Sequence, residues 1–197
     1  MHQESVPRLV SFVYEAFGAQ CAALLMAGLG EDPSRVGKKF YMQEGEVDGG
    51  RQWEIGVVSN SLPCRSEPLV LAALLKILLQ SEGTPSLLEF QMSEVLDELL
   101  LAGVALTPGT ADRIISKYVA LFYDKRPSGG GESDEAGGGM YSLVTAYLKG
   151  SVNEDRRIGP ARVSNSVTFD QSFVEGLRRG EVTFAGIRFG RLRRNLT

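Results

Sequence analysis

A single histidine and two cysteines are all this chain of 197 residues offers for the commonest metal and nucleophilic chemistry. The histidine is His2, beside the chain terminus. A Ser-His-Asp triad, a histidine zinc site and a histidine general base are therefore excluded in practice. Cys21 and Cys64 stand in no metal-like spacing and are too few for a disulfide framework, which predicts a reduced, cytoplasmic protein. No apolar run reaches the roughly 20 residues of a membrane span. The longest, Ala16 to Gly30, has 15 residues, includes Gln20, and follows Glu4 and Glu15 instead of a positive cluster. Neither a signal peptide nor a membrane partner is expected. The glycine-rich segment 127–139 holds no lysine, so it is not a phosphate loop of the P-loop type. Carboxylates cluster at Asp97-Glu98 and at Glu132, Asp134 and Glu135. One pair falls on a helix surface and the other cluster in the glycine-rich segment, and neither gives the rigid setting that acid–base catalysis needs. The expectation is a protein that is not an enzyme, with no cofactor, no metal and no small-molecule substrate.

What the chain does have is ordinary globular composition, 43% apolar and 23% charged, with an uneven distribution of charge. The whole is −3, yet the stretch from Arg156 to the end carries nine arginines against three acids, +6, leaving 12 basic and 21 acidic residues, −9, in the remainder. Such polarity fits a basic working face with an acidic remainder, or two halves that attract each other.

The pattern of elements is clearest between Leu62 and Arg126. Glu67 to Gln80 is apolar on nearly every side, as a buried central helix would be, with Ser66 as its expected cap. Ser93 to Leu101 predicts a short helix capped by Ser93 and stopped at Gly103. Thr107-Pro108 signals a third helix, a cap hydroxyl followed by proline at the first helical position. In it Ala111, Ile114, Ile115, Tyr118, Val119 and Phe122 form the inner half, and Thr110, Arg113, Ser116, Lys117 and Asp124 the outer. Upstream, residues 5–28 read as one amphipathic helix with a stripe of Val10, Val13, Tyr14, Phe17, Cys21, Leu24 and Leu25. Residues 40–58 read as a hairpin around Asp48-Gly49-Gly50. Downstream, Met140 to Leu148 reads as one strand. Val163, Asn165, Val167 and Phe169 alternate with polar residues as a half-buried strand. Asp170 caps a short helix ending before Gly180, and Glu181 to Phe189 reads as a last strand.

Helix, short helix, turn, helix, then strands is the order of a winged-helix domain. The expected class is α+β: a winged-helix domain over 52–190 with a flexible loop at 127–139, preceded by the amphipathic helix and first hairpin strand (1–51) and followed by a basic tail (191–197). Three groups of residues are candidate DNA contacts. Arg113 and Lys117, four apart on the third helix with Thr110 and Ser116 beside them, suit a major-groove face or a merely solvated one. Arg156 and Arg157, in the turn between the wing strands, and Arg162 suit the DNA backbone or an idle turn. Arg178, Arg179, Arg188, Arg191, Arg193 and Arg194 suit phosphates or RNA, or the acidic surface of a second copy.

The run Ser61 to Leu79, with Met92-Ser-Glu-Val-Leu96, Arg113-Ile-Ile-Ser-Lys-Tyr-Val119 and Ser166 to Gly180, resembles the first winged-helix domain of bacterial plasmid replication initiators. The likeness extends over about Trp53 to Gly190 and is a pattern of elements with few obligatory residues. It implies double-stranded DNA as partner, action at an origin or in replication control, and a homodimer. Family members carry a second winged-helix domain, which is expected to be absent here because the chain stops where it would begin. The N-terminal stripe, more apolar than one helix of a small domain needs, is the expected dimer face, with the edge of the winged-helix sheet as the alternative. Two other readings stay open: a winged-helix interaction module that never touches DNA, and a transcription regulator.

Overall fold

The computed structural model describes residues 8–32, 41–47, 51–58, 62–127, 138–152 and 163–193, and the fold is α+β. Its centre is α3 (Pro68–Gln80), whose Leu69 to Leu75 are all buried, so the all-apolar run is indeed a central helix. The helix starts at Pro68 with Glu67 as its cap residue, one position later than the expected Ser66 cap. Proline at the first position needs no hydrogen-bond acceptor, and the Glu67 carboxylate turns instead to accept from the Cys64 N–H at 3.0 Å.

Short strand β3 (Leu87–Phe90) leads into α4 (Met92–Leu101). Its cap is Gln91, not Ser93: the Glu94 carboxylate reaches back to the Gln91 N–H at 2.6 Å, closing a capping box. Helix α5 (Pro108–Val119) begins as the sequence indicates, with Thr107 Oγ1 accepting from the Thr110 N–H at 3.2 Å. Ala111, Ile114, Ile115 and Tyr118 form its buried face.

The chain after α5 departs from expectation. The third helix ends at Val119, and Phe122 and Asp124, assigned to its two faces, belong to strand β4 (Phe122–Pro127). There Tyr123 and Lys125 point inward and Phe122 and Arg126 outward, a period of two in place of 3.6. Strand β4 pairs with β2 (Arg51–Val58), which pairs with β1 (Tyr41–Val47) as the expected hairpin, and with β5 (Gly139–Tyr141). The expected single strand Met140 to Leu148 is two: β5 belongs to this four-stranded sheet, and β6 (Val144–Val152) to another. The glycine-rich segment thus joins β4 to β5; residues 128–137 lie outside the described ones.

The second sheet has the order β3-β7-β6, all antiparallel, with β7 (Val163–Phe169) in the middle. Asn165, Val167 and Phe169 are buried on it, following the alternation in the sequence. Asp170 caps α6 (Gln171–Arg178), accepting from the Phe173 N–H at 2.8 Å. The predicted last strand is a hairpin, β8 (Glu181–Phe184) and β9 (Ile187–Arg191), turned by Ala185 and Gly186 at φ 52° and 70°. Two positive φ values make the tight turn whose twist suits a hairpin, and an alanine in the first position concealed it.

At the N-terminus the predicted single helix is two, α1 (Arg8–Phe17) and α2 (Ala19–Leu25), broken at Gly18 with φ 78°. The stripe Val10, Val13, Phe17, Cys21, Leu24 and Leu25 is buried, and only Tyr14 is exposed. Phe17 stacks on Phe173 of α6 at 6.1 Å between ring centres. The expected dimer face is therefore intramolecular core. One hydrophobic cluster of the described residues runs from Leu9 to Leu192 and takes in Trp53, Ile55 and Val57 of β2.

Candidate nucleic-acid interface

Helix α5 carries the first group of candidates, and its capping and packing fix where they point. Its buried face lies against α3, α4 and β6. Arg113 and Ser116 are exposed, and Arg113 makes no ion pair with any other described residue. Ser116 Oγ donates back to the Asp112 carbonyl at 2.9 Å, so this hydroxyl is turned toward its own helix. Thr110 is half-buried, with its hydroxyl 2.9 Å from that of Thr107.

Lys117 is placed differently from Arg113. Its ammonium lies 2.7 and 2.9 Å from the two Glu67 oxygens at the start of α3, with side chains only 23% and 19% exposed. A four-residue spacing puts two Cα atoms on one helix face, but a lysine stem is long enough to lead its charge elsewhere. Glu67 thus gathers the Cys64 N–H and Lys117, and joins the start of α3 to the last turn of α5. Burial raises the Cys64 thiol, with the Glu67 charge adding to it, and burial alone pushes Cys21 up to about 12. Neither thiol is thus shifted toward the reactive thiolate.

Three residues that the sequence did not single out complete the surroundings of α5. Asp112 Oδ1 accepts from the Tyr147 hydroxyl at 2.5 Å, and Oδ2 pairs with the Lys149 ammonium. Burial alone would raise the Asp112 carboxyl; the hydrogen bonds from Lys149 and Tyr147 hold it below its ordinary value. Tyr147 is pushed up by burial and by that same carboxylate. Tyr147 and Lys149 sit two apart on β6, the spacing of one strand face. That spacing was readable in the sequence; their acid lies 35 residues away from the tyrosine and was not.

The other candidates rest on different supports. Arg178, at the end of α6, donates from Nε to the Gly83 and Thr84 carbonyls at 3.0 and 3.1 Å, closing the turn after α3. Arg179 is the exposed cap residue of α6. Arg188 pairs with Glu181 across the last hairpin at 2.9 Å. Arg191 and Arg193 are exposed, and the Arg193 N–H donates to the Ala16 carbonyl, tying this end of the chain to α1. Arg156, Arg157, Arg162 and Arg194 lie outside the described residues. Of the α5 group the structure thus leaves Arg113 outward while Lys117 turns to Glu67, and it sets the described C-terminal arginines on and beside α6 and β9, of which β9 packs against β1 and α1.

A second surface feature lies along α4. Leu100 and Leu101 are each 64% exposed. Beside them a cleft of about 400 Å³ is lined by Leu9, Phe12, Leu101 and Ala102 together with polar residues that include Arg8, Glu15, Lys76 and Glu98. Among the described residues no helix is long and apolar enough to cross a membrane.

No family model matches the chain, and no curated protein matches it. Among solved structures it is similar to a crystal structure of RctB domains 2-3, at 15% identity and a TM-score of 0.49, over 79% of this chain and 58% of that one. A structure of selenomethionine derivatives of domain 2 and domain 3 of RctB gives 14% identity and a TM-score of 0.48, over 76% and 59%. The chain spans less than two thirds of either.

Proposed function

We propose that this protein is a non-catalytic, cytoplasmic, duplex-DNA-binding protein of winged-helix type, acting at a replication origin or in replication control. The reading rests on the α3-β3-α4-α5-β6-β7 order, with the first strand beside the last in a β3-β7-β6 sheet. In a winged helix this arrangement presents the last helix to the major groove and the following hairpin to the backbone. Helix α5 fits the first role through the exposed Arg113, because a guanidinium can meet two acceptors of guanine or a phosphate. The β4–β5 hairpin is an insertion between helix and wing. Replication as the context rests on the resemblance of the segments around α3, α5 and α6 to plasmid replication initiators.

The test is titration of labelled duplex DNA at several salt concentrations. Binding should weaken with a log–log slope of about −0.9 per phosphate neutralised. Arg113→Ala should reduce it by about 1–3 kcal/mol on a selected site, more than on random DNA. Absence of binding at about 50 mM salt, where cationic contacts are favoured, refutes the reading.

The exposed pair Leu100 and Leu101 beside the α4 cleft favours a second reading, a winged helix that docks a protein, a second copy included. A homodimer would then form through α4 and not through the buried N-terminal stripe. Sedimentation of the native protein and of Leu100→Asp/Leu101→Asp, which replaces two exposed side chains, tests the homodimer, and a monomer in both removes it.

A further inference from the structure

The clasp between α5 and β6 goes beyond holding the fold. Both oxygens of Asp112 are engaged by one strand, Oδ1 by Tyr147 and Oδ2 by Lys149. The next residue along the helix is Arg113, the exposed cation of the proposed reading face. The β6–β7 pairing loses register between Leu148 and Ser151, the interval that holds Lys149 and Gly150. Gly150 takes φ 49° there, and its N–H is held at 3.0 Å by the side chain of the buried Asn165. A bulge re-aims a strand, so the course of β6 against β7 at Ser151 and Val152 is set at this point. Of the clasp, Tyr147 lies just before this irregularity and Lys149 within it.

Lys149 is 71% exposed and Asp112 only 15%. An ion pair so open to water adds little stability, but with the Tyr147 hydrogen bond it joins α5 to β6 at two atoms.

We propose that Asp112 is a positioning residue for duplex-DNA recognition, locking the helix that carries Arg113 to the β6–β7 hairpin so that both meet one duplex in a fixed relation. The inference rests on the DNA-binding reading. It specifies that the clasp governs discrimination between sequences more than affinity for DNA in general, because phosphate contacts tolerate a small change of angle and base-edge contacts do not.

The experiment compares two duplex probes, one drawn from a random-sequence library by the unaltered protein and one of random sequence, across a salt series. Asp112→Ala should lower the ratio of selected to random affinity by about tenfold, the size of one good base contact, and change the salt slope by no more than about one. Tyr147→Phe, which removes one oxygen and no charge, should lower the ratio in the same direction. Asp112→Asn, whose amide oxygen can still accept from Tyr147, should recover part of it. Thermal melting of each variant shows that it is folded; should Asp112→Ala not fold, Tyr147→Phe decides. An unchanged ratio in both variants overturns the proposal. So does a loss in Asp112→Ala without any in Tyr147→Phe, because removal of charge then accounts for it. An unaltered protein that binds both probes equally overturns the positioning role and leaves DNA binding standing. One that binds neither at about 50 mM salt, a permissive condition, removes the underlying reading as well.

Discussion

Replacing Phe17 by alanine separates an intramolecular core from a dimer face. Phe17 is 1% exposed, stacked on Phe173 at 6.1 Å with the rings inclined by 16°, and meets Phe12 edge-on at 6.4 Å. Phe173 leans in turn on Phe184 at 6.2 Å, and Phe184 on Tyr123 at 4.7 Å. One aromatic chain thus ties α1 to α6, the last hairpin and β4. Truncation removes six ring carbons from a site whose neighbours are held by different elements and cannot all close in. A loss of about 3–5 kcal/mol is expected for such a cavity. With a urea m-value of about 2 kcal/mol/M, the midpoint should fall by about 1.5–2.5 M. The melting temperature should drop by about 6–20 °C, at about 2–4 °C per kcal/mol for this chain length. Trp53, the single tryptophan and 6% exposed, reports the transition by fluorescence. Tyr14→Ala, at a position 42% exposed on the same helix, is the control and should stay within about 0.5 kcal/mol. A Phe17→Ala protein with an unchanged midpoint and an altered sedimentation coefficient would refute the packing argument and restore the stripe as an interface.

Two further outcomes follow from local geometry. Gly28 has φ 86°, and a Cβ there would lie 1.9 Å from the Pro63 carbonyl oxygen, so Gly28→Ala should cost more than the usual 1–3 kcal/mol of a strained residue; Gly30→Ala, at φ 76° in open space, should cost about 1 kcal/mol, and equal urea midpoints for the two would contradict the close approach. The Asp112 carboxyl is held below its ordinary value, so its contribution is complete above that ordinary value and is lost as pH falls through the lower folded-state value. Native protein and Asp112→Asn should accordingly show a small difference in urea midpoint at pH 6, worth about 1 kcal/mol or less for so exposed a pair, and converge in acid; a difference that persists at the lowest pH would show that the ion pair is not its source.

Legibility in the sequence followed the range of the interactions concerned. Helix α3 was readable because an apolar run of this length fits only a buried environment, and α5 because Thr107-Pro108 and its inner face agree with each other. The caps of α3 and α4 were misplaced by one and two positions. Serine was preferred at each, whereas Glu67 and Gln91 prevailed through bonds to Cys64 and Glu94 that composition does not reveal. The segment after Val119 kept helical spacing only through Phe122; pairing with β2 and β5 decided its state, and that pairing partner lies some 70 residues upstream in β2. Gly18 broke the first helix because no helical φ is positive, while the apolar stripe continued across the break without a change of phase.

The candidate site shows the same limit and explains it. Periodicity places Arg113 and Lys117 on one face of α5, and for the backbone it is correct. Side-chain charge, however, is allocated by acids elsewhere in the chain. Glu67, 50 residues upstream, draws Lys117 to the start of α3, and Asp112 draws Lys149 to α5 from β6. In each case a lysine joins α5 to a neighbouring element. A compact ammonium on a flexible stem suits that task, because it adapts to a carboxylate fixed by other packing. Arg113 lies between the two pairs and enters neither. Its planar guanidinium keeps the donors that two-point recognition of a base or phosphate requires. If α5 reads DNA, the face should therefore be understood as one arginine framed by two lysines already engaged in holding the helix, not as a row of equivalent cations.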